Sequence, residues 1–270
     1  MSLTSFLLLI GGGILTGTIG TLLGIGGGLF LVPYLVLFLN LPMHQAIATS
    51  ILAVIATSSA GAVMNLERNL VNLRLGMSLE VATVVGAVLG GISANLLPGE
   101  ILSLLFSVVL LVIAGMMLYR RYRPIPASAL SPDGNLQARY RDEVSGEEVI
   151  YSVRNLGATS AISFLAGNLS GLLGIGGGVF KVPAMHLISG VPLKAAAATS
   201  NFMIGVTAAA SAFIYFSHGH VNPVIASSTT LGALAGATLG IRLSRVLKTE
   251  LITYLFVGLL ILAAVQMLLR

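Results

Sequence analysis

The sequence predicts an all-α polytopic membrane protein made of two homologous halves. Three observations carry that prediction. Of 270 residues, 56% are apolar and only 9% are charged, with a mean hydropathy of +0.99. A soluble domain carries about 25% charged residues, so this chain could not cover its surface in water. Apolar runs of about 18–20 residues recur along it, each long enough to span roughly 30 Å of hydrocarbon. They lack the short alternating pattern of an outer-membrane barrel. Finally, sliding the chain on itself by 150 residues lays Gly24-Ile25-Gly26-Gly27-Gly28 on Gly174-Ile175-Gly176-Gly177-Gly178. Phe30, Val32 and Pro33 then fall on Phe180, Val182 and Pro183, and Ala48-Thr49-Ser50 on Ala198-Thr199-Ser200. Asn72, Gly86, Gly90 and Glu100 meet Asn222, Gly236, Gly240 and Glu250. Matched Gly, Pro, Thr-Ser and Asn mark a tandem duplication, a common construction for transporters.

The elements follow in order. The start, MSLTSFLLLIGGGILTG, has no positive n-region and no cleavage site, so it reads as a first helix and not as a removed signal peptide. That helix runs into GIGGG, and an apolar stretch of eleven residues leads to a Pro turn. Helices are expected over 43–64, 77–97 and 101–119, which completes a first transmembrane repeat, 1–119. Residues 120–155 form the polar linker. Apolar and polar residues alternate on both sides of Ser145-Gly146, which predicts a small β-hairpin. A second repeat, 156–270, holds the second GIGGG and helices over 194–216, 223–243 and 251–269.

Charge orients the halves. The central segment carries Arg120, Arg121, Arg123, Arg139, Arg141 and Arg154, which makes it cytoplasmic. If each half crosses an odd number of times, the loops holding Arg68, Arg74, Lys194, Arg242, Arg245 and Lys248 join it. Twelve of the 14 basic residues then lie inside. With an even number, only nine do. Inverted repeats with both termini outside are therefore expected. Two paths satisfy the odd count: five spans per half, or a broken, re-entrant hairpin followed by three spans. A helix of eleven residues rises only about 16 Å, which favours re-entry.

Three consecutive glycines leave backbone without side-chain cover, which lipid tolerates only beside protein or a wet cavity. A helix begins directly after each cluster. Its free N–H groups and positive dipole end suit an anion, and two such ends from inverted repeats would face one midplane site. The expected substrate-binding residues are accordingly Gly24, Gly26, Gly27, Gly28, Gly174, Gly176, Gly177 and Gly178. Lys181 lies within one turn of the second helix start and would add a full charge; interfacial snorkelling is its bland alternative. Thr49, Ser50, Thr199, Ser200 and Asn201 would line the pocket, unless their hydroxyls bond back along the helix. The four-residue stripes Ala82, Gly86, Gly90, Ala94 and Gly232, Gly236, Gly240 read as helix packing. Glu80 is the carboxylate expected within the membrane, with Thr230 as its counterpart and no acidic relay in view.

Several chemistries drop out. No cysteine occurs, which removes disulfides and thiolate metal sites. No Walker A sequence and no HExxH occurs, and no Ser/His or paired-Asp constellation lies at membrane depth, so neither an enzyme nor a cofactor is expected. The net charge of +5 reflects loop arginines and does not point to nucleic acid.

The paired GIGGGxxxVP motifs, each followed by a Pro turn and ATS, resemble the TauE/SafE sulfite-exporter family over roughly residues 10–118 and 160–269. The resemblance implies an inner-membrane permease for sulfite, sulfoacetate or a related sulfur-containing or organic anion. The expected function is thus secondary transport of a small anion by alternating access. An anion channel and a non-transporting scaffold docked through the 120–155 hairpin are the alternatives. The expected partners are the anion and membrane lipid, with self-association left open.

Overall fold

The computed structural model of the chain describes residues 3–23, 26–122, 135–141, 147–243 and 249–269. Ten helices and one two-stranded sheet form among them. Six of the helices are long and apolar enough to cross a membrane. The first repeat contributes α1 (Leu3–Leu23), α2 (Gly28–Phe38), α3 (Met43–Glu67), α4 (Leu73–Leu96) and α5 (Gly99–Tyr122). Strands β1 (Asn135–Arg141) and β2 (Glu148–Val153) follow. Then come α6 (Leu156–Leu173), α7 (Gly178–Leu187), α8 (Leu193–Ser217), α9 (Pro223–Leu243) and α10 (Thr249–Leu268).

Helix starts answer to local chemistry. Pro42 and Pro192 stand at the N-caps of α3 and α8, where a missing N–H costs nothing. Asn72 caps α4 by accepting the Leu75 N–H at 3.1 Å, so this helix begins at Leu73 and not at the expected 77. Asn222 does the same for α9, accepting from Val224 and Ile225.

Each half holds a broken helix at its glycine cluster, a long helix followed by a short one of ten or eleven residues. After the first glycine turn α2 folds back along α1. Gly20 abuts Gly27, Gly12 abuts Tyr34, and the Tyr34 hydroxyl donates to the Leu8 carbonyl at 2.8 Å. In the second half α7 returns along α6. Arg154 N–H donates to the Ser189 carbonyl at 3.0 Å, and the Thr159 and Ser189 hydroxyls meet at 2.6 Å.

Glycine lets these helical hairpins pack across the two halves. Gly13 and Gly17 of α1 lie on the backbone of Thr229 and Ala233 in α9, while Gly232, Gly236 and Gly240 lie on Ile10, Ile14 and Thr18. The same spacing recurs between α4 and α6, where Gly86 and Gly90 press on Phe164 and Asn168 and Gly167 and Gly171 press on Thr83 and Ala87. A side chain at these positions would force the backbones apart. The expected packing stripes are therefore used as such. At the centre α3 and α8 run antiparallel, with Gly61 against Asn201 and Gly205 against Ser58.

The β-hairpin pairs antiparallel, with Tyr140 opposite Val149 and Arg141 opposite Glu148. Its expected turn at Ser145-Gly146 lies outside the described residues. The hairpin does not stand free. Tyr140, Tyr151 and Val153 are buried in one apolar cluster with Leu75, Leu79, Met185, Val191 and Met203. It thus seals the end of the bundle where α4 and α8 begin and α7 finishes.

Candidate substrate site

Each glycine cluster makes a turn that other residues resist. Gly26 and Gly27 sit at φ 89° and 77°; Gly174, Gly176 and Gly177 sit at 71°, 80° and 67°. In that left-handed region a side chain costs roughly 1–2 kcal/mol. Gly24 lies outside the described residues. Gly28 and Gly178 open α2 and α7. The two helices start alike: Phe30 and Leu31 donate to the Gly27 carbonyl, and Phe180 and Lys181 to that of Gly177. The N–H groups at the head of each helix have no preceding turn to bond to and carry the positive end of its dipole.

The two turns meet. A Cβ on Gly28 would strike the Gly174 carbonyl, and Gly26 and Gly176 both face Val54 of α3 and Ile204 of α8. Val54 and Ile204 are themselves 150 residues apart, so one apolar pair separates the matched turns. Ser50 ties the halves together, its hydroxyl donating to the Gly174 carbonyl at 2.9 Å.

The remaining hydroxyls divide. Thr199 accepts the Asn72 N–H at 3.0 Å and so serves the start of α4. Thr49 Oγ1 and Ser200 Oγ are buried and have no hydrogen-bond partner among the described residues. Ser200 lies beside Gly178, next to a helix start. Asn201 packs its amide over Gly61 on α3.

Lys181 is fully buried, at 0% exposure, which removes the snorkelling alternative. Its Nζ donates to Thr207 Oγ1 at 3.2 Å, and the same hydroxyl lies 2.6 Å from Glu80 Oε1. Thr207 thus links a lysine on α7 to a carboxylate on α4. Glu80 is 5% exposed, and its second oxygen, Oε2, has no partner. The sequence singled out both charges but paired neither with the other, and it passed over Thr207. The 150-residue shift held a signal, since Thr207 falls on Thr57. At the matching place in the other half stand Leu31, Thr57 and Thr230, with no charge among them. Thr57 donates to the Gly26 carbonyl at 3.2 Å or bonds back to Val54.

The histidines lie elsewhere. His44, at the start of α3, stacks on His220 with ring centroids 4.9 Å apart, and the His218 ring lies parallel to that of His220 at 6.4 Å. Burial lowers the His220 pKa below its usual 6.5, and the neighbouring His44 and His218 add to that. His186 places Nδ1 2.8 Å from the Val191 carbonyl at the end of α7. No group of three His, Cys, Asp or Glu able to hold a metal occurs among the described residues.

The chain has recognisable relatives among known proteins. The family model described as "Sulfite exporter TauE/SafE" matches residues 9–267. "Probable membrane transporter protein YunE" of Bacillus subtilis is 31% identical over 97% of each chain. A "Probable membrane transporter protein" of Xylella fastidiosa is 29% identical over 89% of this chain and 85% of its own. A relative from Methanocaldococcus jannaschii with a similar name is 24% identical over 88% of this chain. These names describe permeases and not enzymes, in keeping with the sequence reading. No solved structure matches the chain.

Proposed function

The chain belongs to the TauE/SafE sulfite exporter family, and on that premise we propose that it is a secondary transporter of a small anion. Sulfite or a related sulfur-containing or organic anion is the substrate class. The carrying observation is Lys181: a fully buried cation on the first turn of α7, directly after a left-handed glycine turn. A charge held at membrane depth is costly unless it serves a ligand or a partner. The anion is held between the heads of α2 and α7, with the unpartnered hydroxyls of Thr49 and Ser200 free to turn toward it.

The halves 1–119 and 156–270 are inverted repeats in this reading, working by alternating access. Two observations support it. Antiparallel contact between α3 and α8, which match under the 150-residue shift, is what a two-fold axis lying across the helices produces. The same contact gathers the end of α3, the start of α8 and the arginine-bearing hairpin at one end of the bundle. The histidine group takes the other end. The hairpin end is cytoplasmic, both termini are outside, and the membrane is the inner one. Since the chain has no native cysteine, Asn69→Cys and His218→Cys report topology directly. In intact cells an impermeant maleimide should label position 218 and spare 69; equal labelling of both would mean parallel halves.

The test of substrate is thermal stability of the purified protein in detergent, against sulfite, sulfate, thiosulfate, sulfoacetate, acetate and chloride at equal ionic strength. A ligand at about 100 times its dissociation constant stabilises by roughly 2.7 kcal/mol. A selective shift lost in Lys181→Ala is the expected result. An identical shift in that variant would remove Lys181 from the site.

A further inference from the structure

Resting on the transporter reading, we propose that Glu80 binds the proton that accompanies the anion: the anion takes Lys181 away from Glu80, and Glu80 takes up one proton in the same step. The argument begins with charge. Lys181 and Glu80 are both buried and are joined through the Thr207 hydroxyl. Together they are neutral, the arrangement a water-excluded interior tolerates. A singly charged anion drawn to Lys181 leaves one net negative charge there, and an uncompensated buried charge is strongly disfavoured.

One atom is placed to remove it. Glu80 Oε1 is engaged by Thr207, but Oε2 is buried without a partner. A proton taken from water forms an O–H bond at the carboxylate, while Lys181 stays an ammonium and exchanges its hydroxyl contact for the anion. Release reverses both changes, and no electrons move.

Among the described residues, no other titratable side chain on the elements packed around the pair takes this role. Helices α6 and α8 pack against α4. Residues 156–173 of α6 contain no acid, base or tyrosine, and α8 carries only Lys194 and Tyr215, the latter bonded to the Gly171 carbonyl. Arg74 lies in the first turn of α4, the His186 ring meets the Val191 carbonyl on α7, and Tyr140 and Tyr151 belong to the docked hairpin. The matching place in the other half, with Leu31, Thr57 and Thr230, titrates nothing. One proton therefore travels with each singly charged anion. The empty carrier, closed by the neutral Lys181–Thr207–Glu80 chain, and the doubly loaded carrier are the two states that cross without an unpaired buried charge. That is symport.

The experiment uses proteoliposomes and radiolabelled methanesulfonate or 2-hydroxyethanesulfonate, sulfur-containing anions of single charge at every pH used, in two modes: exchange with equal anion and pH on both sides, and net uptake driven by acid outside. Wild type should perform both. Glu80→Gln imitates the protonated state, so it should retain exchange yet lose gradient-driven uptake by about tenfold or more. Its exchange should also be flat between about pH 6 and pH 8. Gradient-driven uptake at the wild-type rate in Glu80→Gln overturns the proposal, as does a folded variant that loses both modes alike. Should Glu80→Gln not accumulate, Glu80→Asp must keep gradient-driven uptake with a displaced pH profile; an unmoved profile overturns the proposal. Wild type that exchanges an anion but ignores the proton gradient defeats the coupling and leaves anion transport standing. Wild type that moves neither anion in either mode removes both.

Discussion

The two glycine turns share a backbone and differ in what surrounds them. Both are built from left-handed glycines, both start a short helix with the same pair of hydrogen bonds, and both rest on Val54 and Ile204. Beside the second, Lys181, Thr207 and Glu80 form a buried charged chain; at the matching places of the first stand Leu31, Thr57 and Thr230. The scaffold is duplicated while the charge is not. In the proposed reading the two glycine turns and the Lys181 charge receive the anion, and Glu80 of the asymmetric cluster sets what else moves with it.

The sharpest way to break this comparison is to write the first copy into the second. Lys181→Leu or Glu80→Thr alone strands one buried charge and should cost about 3–5 kcal/mol in denaturation of the detergent-solubilised protein. The double variant should recover most of that loss while giving no stabilisation by any anion. If the double is as unstable as the worse single, the charges are not an energetic pair. Next in size is the linking hydroxyl. Thr207→Val removes hydrogen bonds to charged groups and should cost about 1.5–3 kcal/mol, against about 1 kcal/mol for Thr57→Val, which loses a neutral one. Equal costs would mean that Thr207 does not join the charges. Smaller again is the contrast between Gly176→Ala and Gly26→Ala. Each pays roughly 1–2 kcal/mol of backbone strain. The first also brings Cβ to 3.0 Å from Ile204, where the second leaves 3.6 Å, so Gly176→Ala should melt lower.

The smallest effect lies at the histidine end. His220 binds its proton less readily when folded than in the unfolded chain, because burial and the neighbouring imidazoles oppose the charge. Below the usual 6.5 the unfolded state holds more protons, so stability falls as pH drops through and beneath that value. His220→Asn should flatten the acid side of the melting profile. A profile unchanged by it would assign the acid sensitivity elsewhere.

Much of this was legible in the sequence, for reasons that differ by element. The glycine turns could be read because positive φ and close backbone approach both demand glycine, twice over and at one spacing. The hairpin could be read from alternation, but not its docking, since Tyr140 and Tyr151 meet Leu75 and Met203 only in three dimensions. The Lys181–Thr207–Glu80 chain escaped for a sharper reason. Thr207 and Glu80 lie 127 residues apart. The repeat that revealed everything else pairs Glu80 with Thr230 and Lys181 with Leu31, so matching the halves hid the one place where they cooperate by differing. Thr199, expected to line the pocket, also accepts the Asn72 N–H just before α4, a contact across 127 residues that the sequence does not display.

The glycine seams have a consequence for biogenesis. Helix α1 closes on α9, and α4 on α6. Helix α1 therefore leaves the ribosome well before its partner, and Gly13 and Gly17 stay uncovered until Gly232, Gly236 and Gly240 have been synthesised. Neither half can finish folding ahead of the other. A chain stopped after the first repeat would expose an unfilled seam along α1 and another along α4, which is the kind of surface that membrane quality control can recognise.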